Sequence, residues 1–337
     1  MGVHVFIADT MIGTTTDTEG NYRLEKVPLG VQRLYVSIIG FEPEARDVLL
    51  RESRAYEFNF KLKEAVAELG EITVIDEGDR KWRRRWERFN RIFVGETANS
   101  SQTKILNPEV LDFADKGGTL LAFAGEILEI ENRALGYHIQ YFLKDFAAEP
   151  TRIRFDGEPL FTELEPESPE EAQMWEENRR RAFYGSFRHF ILAVLSGRAA
   201  DHGFETFMRP RAGSADNLST FQQSNFMSDT RQPFDVNTLL ADSDNPNEKV
   251  LDFEGAIEII FKGELESKKY QQWEWAQAEP QGFQGKRYQR SLIWQENGAT
   301  LVDYKGDLLN PYGVTVSGYL AFERIAEELP KEYRPSR

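Results

Sequence analysis

The side chains best suited to metal binding or proton transfer near neutral pH are four histidines, His4, His138, His189 and His202. His202-Gly203-Phe204-Glu205 reads H-x-x-E, the spacing of the first half of a carboxypeptidase-type zinc site. Such a centre requires two histidines and a carboxylate, with a fourth position left open for water. No histidine follows His202, and with 56 acidic residues in 337 this spacing arises readily by chance. His189 lies beside the apolar face of a predicted helix and reads as a hydrogen-bonded structural histidine. His138 and His202 remain a pair that the fold is free to bring together.

Nucleophilic chemistry has weaker support. Ser186 lacks the G-x-S-x-G frame, because Tyr184 and Arg188 stand where that turn needs glycine. Ser186 and His189 are one helical turn apart, a spacing that suits local packing better than a triad. Paired carboxylates for glycoside hydrolysis cannot be singled out among so many acids. Glu163, Glu165 and Glu167 around Pro166 read as a solvated loop. The oxygen-rich run from Asp242 to Glu248 lacks the ligand spacing of an EF-hand and reads as an acidic turn. The expectation is a protein with no catalytic residue, no cofactor and no metal.

Aromatic residues supply the interaction candidates. Trp82, Trp86, Phe89 and Phe93 fall on one face of a predicted helix whose other positions are mostly arginine and lysine. Such a helix either docks an acidic partner or packs its stripe on its own core. The acidity of the rest of the chain favours the second, since the arginines then have partners within the molecule. Trp273 and Trp275 alternate and predict a strand that turns both rings to one face, either buried or exposed as a carbohydrate or partner platform.

The elements that hold these residues divide in two. Val3, Val5 and Ile7 alternate, as do Tyr22 and Leu24, then Leu34, Val36 and Ile38, then Tyr56, Phe58, Phe60 and Leu62, with turn residues between the runs. No helical stripe interrupts them, so the segment predicts a β-sandwich. A short strand at Ile72-Thr73-Val74 follows, and the boundary is placed between a domain over 1–75 and a larger mixed α+β domain over 80–337. In the latter, residues 169–196 predict one long helix opened by Ser168 and Pro169. Asn297-Gly298 predicts a hairpin turn, and residues 318–330 predict a closing helix.

Asp17-Thr18-Glu19-Gly20-Asn21-Tyr22-Arg23-Leu24, Val27-Pro28-Leu29-Gly30 and Gly40-Phe41 match a D-x-x-G-x-Y-x-L turn, a V-P-x-G turn and a G-[FY] step. In these residues the N-terminal part resembles the carboxypeptidase regulatory-like domain. That resemblance implies a transthyretin-like or immunoglobulin-like sandwich, an accessory module without catalytic residues. It is found on carboxypeptidases and at the N-termini of TonB-dependent outer-membrane proteins. No receptor-plug pattern follows it here. The family's opening G-x-V-x-D strand has no counterpart before Gly2, which implies either a truncated sequence or another segment in that strand's place. The blocks at 106–111, 130–137, 178–190 and 325–333 resemble cell-envelope proteins of Gram-negative bacteria that carry the same domain. That likeness implies a periplasmic or outer-membrane-associated protein whose export signal is absent from this sequence.

Composition sets the outer bounds. A formal net charge of -15 opposes nonspecific attraction to phosphate backbones, so nucleic acid is not an expected partner. The absence of cysteine removes disulfides, thiolate nucleophiles and thiolate-held metals together. No apolar run approaches the roughly 20 residues of a membrane-spanning helix. The expected function is non-catalytic binding or assembly through protein-protein contacts in the cell envelope. The alternatives are a hydrolase with its site in the C-terminal domain, built from acids such as Glu205 near the histidines, or a carbohydrate-binding protein.

Overall fold

A computed structural model describes residues 2–38, 40–64, 80–150, 152–209, 231–277 and 287–335. The fold is β-rich α+β, with strands paired in antiparallel sheets. It forms two compact units: Met1–Ile92 with Gln102–Trp175 and Leu329–Arg337, and Phe93–Ser101 with Glu176–Glu328. The first unit therefore extends past the sequence boundary at 75–80 to take in a second sheet. The expected strand at Ile72-Thr73-Val74 lies outside the described residues.

The first unit begins with β1 (His4–Ile7), β2 (Gly13–Thr15), β3 (Gly30–Ser37) and β4 (Glu44–Leu50), ordered β2-β1-β3-β4. The period-two pattern is what builds this sheet, because alternate side chains leave a strand on opposite faces. One face gathers Val5, Ile7, Leu34, Val36, Val48 and Leu50, and Tyr22, Leu24, Tyr56, Phe58, Phe60 and Leu62 pack over it. Those covering runs keep the expected alternation of half-buried and exposed residues. They are nonetheless extended chain outside any ladder, with an isolated bridge between Phe41 and Glu64 at one end. The turn before Tyr22 is closed by the Asp17 carboxylate, which accepts from the Glu19 and Asn21 amides, with Gly20 at φ 85°.

The other face of the same sheet explains why the unit is larger than its sandwich. Phe6 and Tyr35 pack on Phe142, with Phe6 and Phe142 stacked at 4.7 Å between centroids, and Leu160 lies alongside. Buried Glu158 pairs with Arg33 at 2.7 Å and with Lys144. These partners come from a second sheet of β5 (Thr103–Ile105), β6 (Leu111–Lys116), β7 (Thr119–Ala124), β8 (Leu128–Asn132), β9 (Tyr137–Ala148) and β10 (Ile153–Glu163). Its order is β5-β8-β9-β7-β6, with β10 on β9. The chain turns from β8 to β9 through Gly136 at φ 69°, where an added Cβ would lie 2.3 Å from the Trp175 ring. Helix α1 (Arg80–Val94) forms where the aromatic stripe predicts it.

The second unit contains α3 (Phe187–Leu195), which follows α2 (Pro169–Phe183) after a break. The single helix expected over 169–196 is thus two. Gly185 takes φ 88°, a left-handed value that stops α2, and Ser186 restarts the helix as an N-cap by accepting from the His189 amide. Strands β11 (Phe204–Arg209), β12 (Gln232–Pro233), β13 (Leu240–Asp242), β14 (Glu248–Leu251) and β15 (Ala256–Leu265) precede α4 (Lys268–Gln277). After it come β16 (Tyr288–Trp294), β17 (Thr300–Asp303), β18 (Thr315–Gly318) and α5 (Tyr319–Phe322). Among the described residues these strands form two sheets, β12-β11-β15-β16-β18 and β13-β14-β17.

Three further expectations are corrected here. Asn297-Gly298 does turn, with Gly298 at φ 79°, but it joins β16 to β17, which pair in different sheets. The closing segment is one short helical turn at Tyr319–Phe322 and a 3-10 turn at Ile325–Glu327, not a continuous helix. The strand expected around Trp273 and Trp275 is helix α4. Its residues are mostly good helix formers, Ser267 Oγ caps it by accepting from the Tyr270 amide, and two tryptophans two apart imitate a strand's period by coincidence.

Candidate functional site

The four histidines divide between the units, His4 and His138 in the first and His189 and His202 in the second. In the first unit His138 Nε2 lies 3.0 Å from Glu129 Oε2 across neighbouring strands, and this bond raises the imidazole's pKa. In the second unit His189 is buried, accepts the Gly185 amide at Nδ1 (3.1 Å) and meets His202 Nδ1 through Nε2 at 3.1 Å. Accepting at Nδ1 places the His189 proton on Nε2, so that nitrogen donates to His202. Burial, then the neighbouring His202, holds the His189 pKa down at about 4. Glu205 pairs with Lys262 at 2.8 Å, so the H-x-x-E spacing makes no ligand pair. Ser186 Oγ donates to the Phe183 carbonyl and accepts from the His189 amide, both capping contacts. Among the described residues no group of three or more histidines and acids is arranged to hold a metal.

Trp82, Trp86 and Trp273 belong to aromatic clusters of their own units. Trp82 donates from Nε1 to the Leu111 carbonyl at 3.0 Å and stacks with Trp86 at 6.1 Å. Trp82 also meets Phe113, while Trp86 meets Phe89, which in turn lies on Phe146. Both tryptophans are half-buried, and Arg85 pairs with Asp115 beside them. Trp273 is half-buried too, against Tyr270 at 5.8 Å and Phe322 at 5.4 Å. Trp275 shares its helix, and its side chain lies outside the described residues.

A group of carboxyls that sequence reasoning missed stands in the second unit. Glu264 comes from the end of β15, Glu323 follows α5, and Glu327 closes the 3-10 turn. Glu327 Oε2 accepts from Asn99 Nδ2 at 2.8 Å, and burial pushes its pKa up to about 7. Burial raises Glu323 well above the usual carboxylate range, and the charges of Glu327 and Glu264 raise it further. Glu264 is raised by burial against the pull of Arg181 and Arg180, and it accepts from Gln289 Nε2 at 3.3 Å. Burial likewise raises the Tyr319 hydroxyl, with Glu323 adding to it. Burial and nearby negative charge favour the protonated form of a carboxyl, and Glu327, at about 7, holds near neutral pH the proton that a general acid requires. The sequence signal was slight: Glu323 and Glu327 sit beside Phe322 and Ala326 in an apolar stretch, four residues apart.

Residues 1–74 match the family model described as the CarboxypepD_reg-like domain. The match covers the four-stranded sheet and the extended runs that pack over it. No curated protein and no solved structure matches the chain.

Proposed function

From a chain whose first 74 residues match the CarboxypepD_reg-like domain, we propose a non-catalytic binding or assembly protein of the cell envelope that works through protein-protein contacts. One observation carries this reading. The extended runs at 22–25 and 56–62 lie over an apolar layer, and among the described residues their N–H and C=O groups make no backbone-to-backbone hydrogen bond. Strand addition by a partner uses such groups for affinity and alternate side chains for specificity. The half-buried tryptophans Trp82, Trp86 and Trp273 contribute to the packing of their own units rather than to this contact. The test is affinity isolation of the full-length protein from envelope extracts after cell fractionation. A stoichiometric co-purifying envelope protein is expected, and recovery of the protein without one from every fraction overturns the reading.

The raised carboxyls Glu264, Glu323 and Glu327 favour a second reading, a hydrolase that uses one of them as general acid. On this reading turnover of glycoside or ester substrates falls by about 100-fold in Glu327→Gln or Glu323→Gln. Absence of turnover across both substrate classes rejects it.

A further inference from the structure

We propose that the outward face of α1 is a docking surface for phosphate-bearing lipid headgroups, which seats the first unit on an anionic bilayer by charge alone. The inference goes beyond the protein contact proposed above and stands on different residues.

Helix α1 is divided lengthwise. Trp82, Trp86 and Phe89 form its inward stripe, with Phe89 buried and both tryptophans half-buried. Arg85 and Arg88 flank that stripe and are held by the unit itself, Arg85 on Asp115 at 2.7 Å and Arg88 on the Ala148 carbonyl at 3.0 Å. Turned away from it, Arg80, Arg84, Glu87 and Arg91 follow one another at helical spacing with Lys81 and Arg83 beside them, and all six are exposed. The row from Arg80 to Arg91 is about 16 Å long at the rise of an α-helix.

Helix stability does not account for these bases. Arg80, Lys81 and Arg83 stand in a first turn that holds no acid, where the peptide dipoles favour negative groups. Arg80 with Arg84, and Lys81 with Arg85, are like charges one turn apart, an arrangement that weakens a helix. Residues that work against their own element are expected where a protein meets something outside itself.

The make-up of the face selects the occupant. Seven bases and one acid fall within Arg80–Val94, a balance of +6, and against the chain's -15 the remainder carries -21. Charges separated by more than about 8–10 Å are screened at physiological salt, so acids far from the row do not cancel it. A protein interface is anchored by aromatic and apolar groups at its centre, and in α1 those groups are turned inward, leaving a row that is wholly ionic. An anionic bilayer is an array of phosphates that needs no such anchor, and a guanidinium grips a phosphate through two parallel N–H donors. With its rings kept in the core, the helix lies on the headgroups without inserting.

Flotation of the whole 337-residue chain with lipid vesicles tests this. Phosphatidylcholine vesicles with about one third phosphatidylglycerol should carry the protein up the gradient, pure phosphatidylcholine should not, and about 0.5 M salt should release it. Each base near such a surface is worth about fivefold in binding, so Arg83→Gln, Arg84→Gln and Arg91→Gln together should lower the partition about 100-fold. Arg23→Gln, Arg51→Gln and Lys61→Gln remove three exposed bases of the sandwich and should change it less than about twofold. An unchanged urea midpoint shows that the α1 variant is folded. Failure of the wild-type chain to float with anionic vesicles overturns the proposal, as do equal losses in the two triple variants or equal binding to neutral vesicles. Binding to polyglutamate or duplex DNA as tight as to the anionic vesicles also overturns it, because the face then serves an acidic protein or a nucleic acid. So does flotation that appears only after Glu68→Gln, Glu71→Gln, Asp76→Asn, Glu77→Gln and Asp79→Asn, since the chain's own acids then occupy the face.

Discussion

Replacing Glu327 by glutamine should change the pH dependence of stability in a direction that the structure dictates. The carboxyl titrates at about 7 in the folded chain against an ordinary 4.5. A raised carboxylate pKa means that the folded state holds a proton which the unfolded state has released. The stability this group contributes is therefore fully present below 4.5 and is lost as pH rises through 7. Each pH unit of separation corresponds to about 1.4 kcal/mol, which gives about 3 kcal/mol in the limit. Discounted for the solvent that still reaches the side chain, the loss is about 1–2 kcal/mol. Glutamine keeps an oxygen to accept from Asn99 and carries no charge at any pH. Urea unfolding of both proteins between about pH 5 and about pH 8 should show near equality at the acid end and a more stable Glu327→Gln at the alkaline end. The comparison must be between the two proteins, because His189 in the same unit pulls the wild-type curve the other way. Parallel curves refute a protonated Glu327 and remove the basis for general-acid chemistry at this carboxyl.

Gly136→Ala should cost the first unit about 3 kcal/mol, from a left-handed backbone and a collision with the Trp175 ring, read as a lower urea midpoint. Glu258→Gln strips the buried carboxylate that holds Arg209 at 2.7 Å and Arg290 at 3.1 Å. A loss of about 3–5 kcal/mol in the second unit is expected, and Arg209→Met in the same background should restore part of it. His189 should stay neutral in an NMR titration until about pH 4. Because its folded pKa lies below the unfolded 6.5, the stability it contributes is complete above 6.5 and is lost as pH falls toward 4. Protonation of His189 near 6.5 contradicts the buried Gly185–His189–His202 chain.

The N-terminal strands were legible because one face of each is buried and the other wet, which writes a period of two directly into the residues. The runs at 22–24 and 56–62 carry the same period, yet whether such a run is laced into a ladder depends on a neighbour the period does not mention. Helix α1 was equally plain from Trp82, Trp86, Phe89 and Phe93. Helix α4 was misread because Trp273 and Trp275 satisfy a period of two while the capping Ser267 and the helix-forming residues around them pull toward 3.6. Gly185-Ser186 ended one helix and started the next inside a continuous apolar pattern, and the pattern alone hid the break. Glu264, Glu323 and Glu327 were hard to see for a different reason: Glu264 is distant along the chain from the other two, and among 56 acids no spacing rule marks the three as a group.

The knot of Arg33, Glu158 and Lys144 beneath Phe6 and Tyr35 separates two meanings of the word domain. Residues 1–74 are the piece that recurs from one protein to another, whereas the compact body to which they belong continues through a later sheet. Severing the polypeptide after that recurring piece would strand Arg33 without its acid and leave two large aromatic rings wet. Heredity and mechanics thus cut this molecule in different places, and a fragment designed along the first line inherits a wound along the second.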